Sequence, residues 1–267
     1  ARMIEERAAA ERQLRDTIHQ LTQSNAELER FAYIASHDLQ APLRTIGSFS
    51  SLLGKRYSDA LDEGGQEYLT YIQDGVTDMR ALINDLLELS RVNSTDAEID
   101  DVAVADVVGR ATDQLRADIE ANAATIEVGS LPTVRADARA LQQIFQNLIA
   151  NAMKFQPKGQ APIIEIAAER VTGGWQFTVK DNGIGMAAED CEKIFGVFKR
   201  LHTTAEYPGT GIGLSLVRKL VDKRGGRIRV ESSPGQGSTF IFDVPDALPA
   251  SPEELLPALE QGEALSV

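Results

Sequence analysis

The sequence predicts an α-helical hairpin that pairs with a second copy into a four-helix bundle, followed by an α/β two-layer sandwich. Three observations carry this: apolar seams with heptad spacing before residue 91, a polar junction RVNSTDAEIDD with no seam, and short strands alternating with helices from about residue 101.

The first seam runs Leu14, Ile18, Leu21, Asn25, Leu28, Ala32, Ala35, Leu39, Pro42, Ile46, Phe49, Leu53, in alternating steps of four and three. Asn25 at a seam position either fixes register or is a tolerated polar residue. The second seam runs Leu69, Ile72, Val76, Met79, Ile83, Leu86, and GKRYSDALDEGGQ between the two has the glycines of a helix-to-helix connection. A lone hairpin leaves much of this apolar surface wet, whereas two copies form a bundle. The expected units are a coiled-coil helix over 1–30, a hairpin over 31–95, an α/β domain over 101–246 and a largely disordered tail over 247–267.

Composition narrows the class. The chain has 267 residues, 43% of them hydrophobic, and no run of about 18 apolar residues, so no membrane span is expected. A single cysteine, Cys191, fits a reducing compartment, and a cytoplasmic location follows. The net charge of −13 argues against nucleic acid as a partner, although acidic balance is common among proteins. Because the chain opens at Ala1 in mid-helix, a longer protein is expected.

Within SHDLQAPL, counting from Ala35 as a d position puts His37 at f, on the exposed face. Neutral imidazole has one nucleophilic nitrogen, and Asp38 accepting the N–H of the other would strengthen it. Neighbours on a helix diverge, so this contact needs a particular pair of rotamers. Pro42 removes a backbone donor, crowds the carbonyl of Asp38 and is expected to bend the helix one turn beyond the histidine.

In the second half, strands are expected over Ala124–Val128, Pro162–Ala168, Trp175–Lys180, Arg227–Glu231 and Thr239–Val244. Helices are expected near 104–121, 137–155, 187–195 and 213–224. Meander connections such as TGG argue against a fully parallel, doubly wound sheet. Four patterns bear chemistry. NLIANAMKF aligns Asn147, Asn151 and Lys154 on one helix face, offering amide oxygens to a hard cation and an ammonium to phosphate, or forming an ordinary polar face. DNGIGM places Asp181 to accept from an exocyclic amine, with Gly183 and Gly185 letting backbone approach a flat ring, or makes a plain turn. GTGIGL opens a helix whose first N–H groups suit phosphate. GQGSTF leads into the last strand.

In this order and spacing the sequence resembles the sensor histidine kinases of two-component signalling. SHDLQAPLR is similar to the phosphoacceptor box in its phytochrome-like form, NLIANAMKF to the N box, and DNGIGM, GTGIGL and GQGSTF to the three glycine boxes. IFGVFKRLH resembles the phenylalanine box. The resemblance implies a dimerising phosphotransfer hairpin joined to a GHKL-type ATPase domain using ATP and Mg2+, with an upstream sensor domain and a response regulator receiver domain as partners. It implies that His37 takes the γ-phosphoryl with Asp38 as its base, and that Asn151 ligates Mg2+ with help from Asn147. Lys154 would hold phosphate, Asp181 the adenine amine, Phe155 the ring, and Arg200 the γ-phosphate during transfer. Gly209, Thr210, Gly211 and Gly213 would meet the phosphates, Thr239 would complete the site, and residues 199–209 would be a mobile lid.

Two other classes share these motifs. A hydrolytic GHKL ATPase would have a water-activating glutamate where this chain has Asn147, and an amide is a poor base. A catalytically inactive dimeric scaffold would not need Asn151, Asp181, Gly183, Gly209 and Gly213. One departure from the family concerns dephosphorylation of the regulator. The residue four after the histidine, often threonine or asparagine, is Ala41. Regulator-phosphatase activity is therefore expected to be weak unless the Gln40 amide substitutes.

Overall fold

A computed structural model of the chain describes residues 2–92, 98–203, 206–207 and 209–247. The chain divides into two compact units, Ala1–Thr95 and Asp96–Val267.

The first unit is a helical hairpin. Helix α1 spans Arg2–Tyr57 and runs on through Pro42. A 3-10 turn at Ser58–Ala60 leads to α2, Glu63–Arg91. Asp62 caps α2, its carboxylate accepting from the N–H of Gly65 at 2.8 Å, so of the three glycines in the predicted connection Gly64 and Gly65 lie in the first turn of α2 and Gly54 in the last turn of α1.

The face of α1 that packs on α2 is one residue removed from the predicted seam. Ser36, Leu43 and Ser50 are buried, whereas Leu39, Ile46, Phe49 and Leu53 are 46–64% exposed. Both stripes have the same spacing, but around Leu43 the inner one has the small residues Ser36, Gly47 and Ser50, which let the helices approach. A Cβ on Gly47 would stand 2.9 Å from Arg80 Nη2 and 3.0 Å from Val76 Cγ1. Leu43, Val76, Ile83 and Leu87 form the hairpin's core. Across it Gln40 donates to Asn84 at 3.2 Å and Gln73 to the carbonyl of Ser50 at 3.3 Å. On α2, Val76 and Ile83 are buried as expected, but Ile72 and Met79 are exposed, and Leu87 is buried rather than Leu86. The expected seam at Leu14, Ile18, Leu21, Asn25, Leu28 and Ala32 falls on side chains outside those described, along backbone that is helical.

The second unit opens with β1 (Asp100–Ala103), α3 (Val104–Gln114) and α4 (Arg116–Ala121). Strands β2 (Thr125–Val128) and β3 (Thr133–Ala136) lead to α5 (Ala138–Lys154), then β4 (Ile163–Val171) and β5 (Gly174–Asp181). Helix α6 (Gly213–Lys223), β6 (Ile228–Ser232) and β7 (Ser238–Pro245) complete it. Strands β1 and β3 pair antiparallel; the main sheet has the order β2-β4-β5-β7-β6, with only β2 and β4 parallel. Alternation buries Ile164 and Ile166, Phe177 and Val179, and Phe240, Phe242 and Val244 against the helices. At the centre Phe145, Phe177 and Phe242 pack as three rings with centroids 5.3–6.0 Å apart.

All five predicted strands are present. Strands β1 and β3, four residues each, were not expected; they pair only with each other, outside the main sheet. The helix expected at 104–121 breaks at Leu115, and that expected at 187–195 is instead two 3-10 turns, Ala188–Asp190 and Lys193–Phe195. The stretch buries only Ile194 and Phe195, so it has no apolar stripe to lay on a core. Residues 248–267, where a tail was expected, lie outside those described, as do Asn93–Ala97 of the junction.

Candidate functional site

The hairpin and the α/β unit each hold one part of the expected chemistry. On α1, His37 and Asp38 are both 74% exposed at the side chain, and Nδ1 of the imidazole lies 3.2 Å from Oδ1 of Asp38. An ionised carboxylate can only accept, so the pairing assigns the proton to Nδ1 and leaves the Nε2 lone pair facing water. The rotamer pair that adjacent helical residues need is therefore present. In water such a contact orients the ring more than it stabilises the fold.

The α/β unit gathers the four motifs around the C-terminal half of α5. Asn147 donates through Nδ2 to the carbonyl of Gln143 at 2.9 Å, and its Oδ1 lies 2.6 Å from where a Cβ on Gly213 would stand. Glycine at the first position of α6 therefore lets that helix start against the N box. Asn151, half-buried, makes no side-chain hydrogen bond among the described residues. Lys154 holds its ammonium 4.5 Å over the ring of Phe155, against Gly209. Burial, then the charge of Arg200, lowers its pKa from the ordinary lysine value.

Asp181 ends β5 and is buried. Its Oδ1 accepts from the backbone N–H groups of Gly183 at 2.8 Å and Ser238 at 3.1 Å. Oδ2 takes no hydrogen bond from the described residues and remains an acceptor for a ligand amine. Burial raises the pKa of the carboxyl, with the two N–H groups opposing. The glycines of this box are required by packing. A Cβ on Gly183 would meet the carbonyl of Phe155, and one on Gly185, at φ +63°, the carbonyl of Ser233. The third glycine box closes the same way, Gly237 lying on the carbonyl of Asp181.

The second glycine box forms the opposite wall. Thr210 Oγ1 accepts from the N–H of Ile212 at 3.3 Å, and Gly211, at φ +75°, lies 3.0 Å from Arg200 Cγ by its missing Cβ. Ile212 offers α6 no side-chain cap, so the first N–H groups of the helix have no intrahelical partner. Arg200 donates to the carbonyls of Gly209 and Tyr207, each at 2.7 Å, rather than standing extended. Two residues before it stands Phe198, a non-glycine residue at φ +60°. Of the expected lid, Thr204, Ala205 and Pro208 lie outside the described residues.

Asn147, Asn151, Lys154, Phe155, Asp181, Gly183, Gly185, Gly209, Thr210, Gly211, Gly213 and Arg200 thus belong to one constellation. Thr239 does not. It pairs with Lys180 and Glu231 on the sheet face opposite Asp181, because alternation sends Phe240 to the core. Ser238, one residue earlier and buried, is the residue that meets Asp181, and its hydroxyl lies 3.0 Å from that of Ser232. The alternation set by Phe240 and Phe242 was the available signal.

The donor set suits a divalent cation held mainly by phosphate. Neutral amide oxygens are present, and no group of three or more His, Cys, Asp or Glu among the described residues forms a metal cage.

An exposed histidine–aspartate pair on a helical hairpin, with an α/β unit whose glycine boxes frame a buried aspartate, defines a phosphoacceptor domain joined to a GHKL-type ATPase domain. Residues 27–95 match the His Kinase A (phospho-acceptor) domain, and residues 136–248 the histidine kinase-, DNA gyrase B- and HSP90-like ATPase family. The chain belongs to the sensor histidine kinases of two-component systems. It is 46% identical over 84% of its length to phytochrome-like protein Cph1 of Synechocystis sp., and 44% identical over 87% to cyanobacterial phytochrome A of Nostoc sp.. It spans 30% of the length of each. The crystal structure of full-length ShkA in complex with AMPPNP matches 84% of this chain and 47% of its own, with 27% identity and a TM-score of 0.64. No helix among the described residues is long and apolar enough to cross a membrane.

Proposed function

We propose that this chain is the kinase core of a longer sensor protein, binding Mg-ATP, phosphorylating its own His37 and passing the phosphoryl group to an aspartate of a response regulator receiver domain. The observation that carries the reading is the contact of His37 Nδ1 with Asp38 at 3.2 Å on an exposed face. Nε2 attacks the γ-phosphorus, the bond to the β,γ-bridging oxygen breaks, and ADP leaves with the electron pair. Asp38 accepts the Nδ1 proton's hydrogen bond throughout and offsets the positive charge that grows on the ring.

Asp181 binds the adenine amine through Oδ2 and Phe155 lines the ring. Lys154 and the first N–H groups of α6 receive phosphate oxygens. Asn151, with Asn147 beside it, would hold Mg2+, which when bound neutralises charge on the transferring phosphates. Arg200, held by the carbonyls of Gly209 and Tyr207, would stabilise charge on the γ-phosphate during transfer.

The chain acts as a homodimer, supported by the apolar stripe of Leu39, Ile46, Phe49 and Leu53 that one hairpin leaves exposed. Its place is the cytoplasm, where ATP is available. Ala41 supports weak regulator-phosphatase activity, because a methyl group cannot orient water. The test is phosphotransfer. Label from γ-labelled ATP should accumulate on the chain and move to an added receiver domain; a chain that keeps its label with every receiver tried would overturn the transfer step.

A further inference from the structure

Tyr207 has no role of its own among those expected from the sequence, yet it bridges Gln156 and Phe155 on one side and Arg200 on the other. Its hydroxyl donates to the carbonyl of Gln156 at 3.2 Å, just beyond the C-terminus of α5. Its ring lies 5.2 Å from that of Phe155 and 5.1 Å from that of His202. Its own carbonyl accepts from Nη2 of Arg200 at 2.7 Å, while Nη1 of the same guanidinium holds Gly209. Gln156 is itself fixed, donating from Nε2 to the carbonyl of Ala152 at 2.7 Å. One half-buried side chain thus touches the aromatic residue that would line the base, and its backbone sets the cation that would meet the γ-phosphate.

We propose that Tyr207 is a positioning residue of the nucleotide site. Its ring, tilted against Phe155, forms the second aromatic wall beside the base, and its hydroxyl, tied to Gln156, fixes the carbonyl from which Arg200 is aimed. Base occupancy and placement of Arg200 are then coupled through one residue. The two parts of the side chain have separable effects: the ring acts on affinity, and the hydroxyl, acting through Arg200, on turnover.

This rests on the assignment of Asp181 and Phe155 to the base, and the experiment separates the two. ADP binding and autophosphorylation rates are measured on the full chain with Mg2+. Tyr207→Phe should keep ADP affinity within about threefold of the parent and lower kcat about fivefold, the effect of losing one neutral hydrogen bond. Tyr207→Ala, which also loses the ring contact, should weaken ADP binding about tenfold. In an Arg200→Ala background Tyr207→Phe should lower kcat no further, because the hydroxyl works through the guanidinium. Parental affinity and kcat in Tyr207→Phe, or the same fivefold loss with and without Arg200, would overturn the proposal. If Tyr207→Ala fails to fold, judged by its melting transition, the Tyr207→Phe and Arg200→Ala pair decides alone. Asp181→Asn is the control: ADP affinity unchanged there would displace the nucleotide site itself. Loss there, with parental values in both Tyr207 variants, would overturn the role of Tyr207 alone.

Discussion

Replacing Asp181 with asparagine should move stability and nucleotide binding in opposite directions. Its Oδ1 accepts two backbone N–H groups, at 2.8 and 3.1 Å. Asp181→Ala leaves both without an acceptor in a buried place, at about 1–3 kcal/mol each, so the domain should lose about 2–6 kcal/mol. Asp181→Asn keeps an oxygen for both and removes only the charge. Burial raises the folded pKa of this carboxyl above the ordinary aspartate value of 3.8. Between those values the native state holds a proton that the unfolded chain has released, so stability falls as pH rises through the window. Above it the full penalty for the buried charge persists. Asp181→Asn should therefore melt higher than the parent at neutral pH, and the gap should shrink as pH falls through the window. The same change puts an N–H donor where the adenine amine needs an acceptor, and ADP affinity should drop about 10²-fold or more. Thermal melting from pH 4 to 8, with and without ADP and Mg2+, reads both effects. An Asn variant that melts below the parent at neutral pH, or that binds ADP as the parent does, would refute the reasoning.

Three further outcomes follow from the same geometry. Ile46→Lys puts a charge on the stripe that one hairpin leaves 47% exposed at this position. Scattering mass should fall from dimer to monomer while helix content holds, whereas an unchanged mass would remove that stripe from the interface. Lys154, its pKa lowered by burial and by Arg200, should bind ADP less well as pH rises through that lowered value, because phosphate favours the charged form. Lys154→Arg should flatten the profile, and a parent profile without that fall would count against a phosphate role. Decay of a phosphorylated regulator should be slow with the parent and about 10²-fold faster with Ala41→Thr. Gln40 donates to Asn84 at 3.2 Å, so fast decay in the parent that Gln40→Ala abolishes would give the water-orienting task to that amide instead.

The sequence showed the site more fully than the packing around it. Twelve of the residues expected in the ATP site come together in the α/β unit, because each lies in a local pattern whose backbone geometry is set within a few residues. Thr239 was misplaced because GQGSTF alone does not state which alternate residues face the core; that is legible only when the run is read on through Phe240, Phe242 and Val244. On α1 the inner face of Ser36, Gly47 and Ser50 was invisible to hydrophobic periodicity, since small residues mark close approach rather than apolar burial. Ser238 and Tyr207 were missed for a related reason: their partners, Asp181 and Gln156, are 57 and 51 residues away in sequence.

The account depends most directly on His37 as the acceptor. Incubation with γ-labelled ATP and Mg2+ should give acid-labile, alkali-stable label on the parent chain. His37→Ala should take none while binding ADP with parental affinity, since the histidine and the proposed nucleotide site lie in separate compact units. Label persisting in His37→Ala, or ATP consumed with release of inorganic phosphate and no label on the parent, would contradict it.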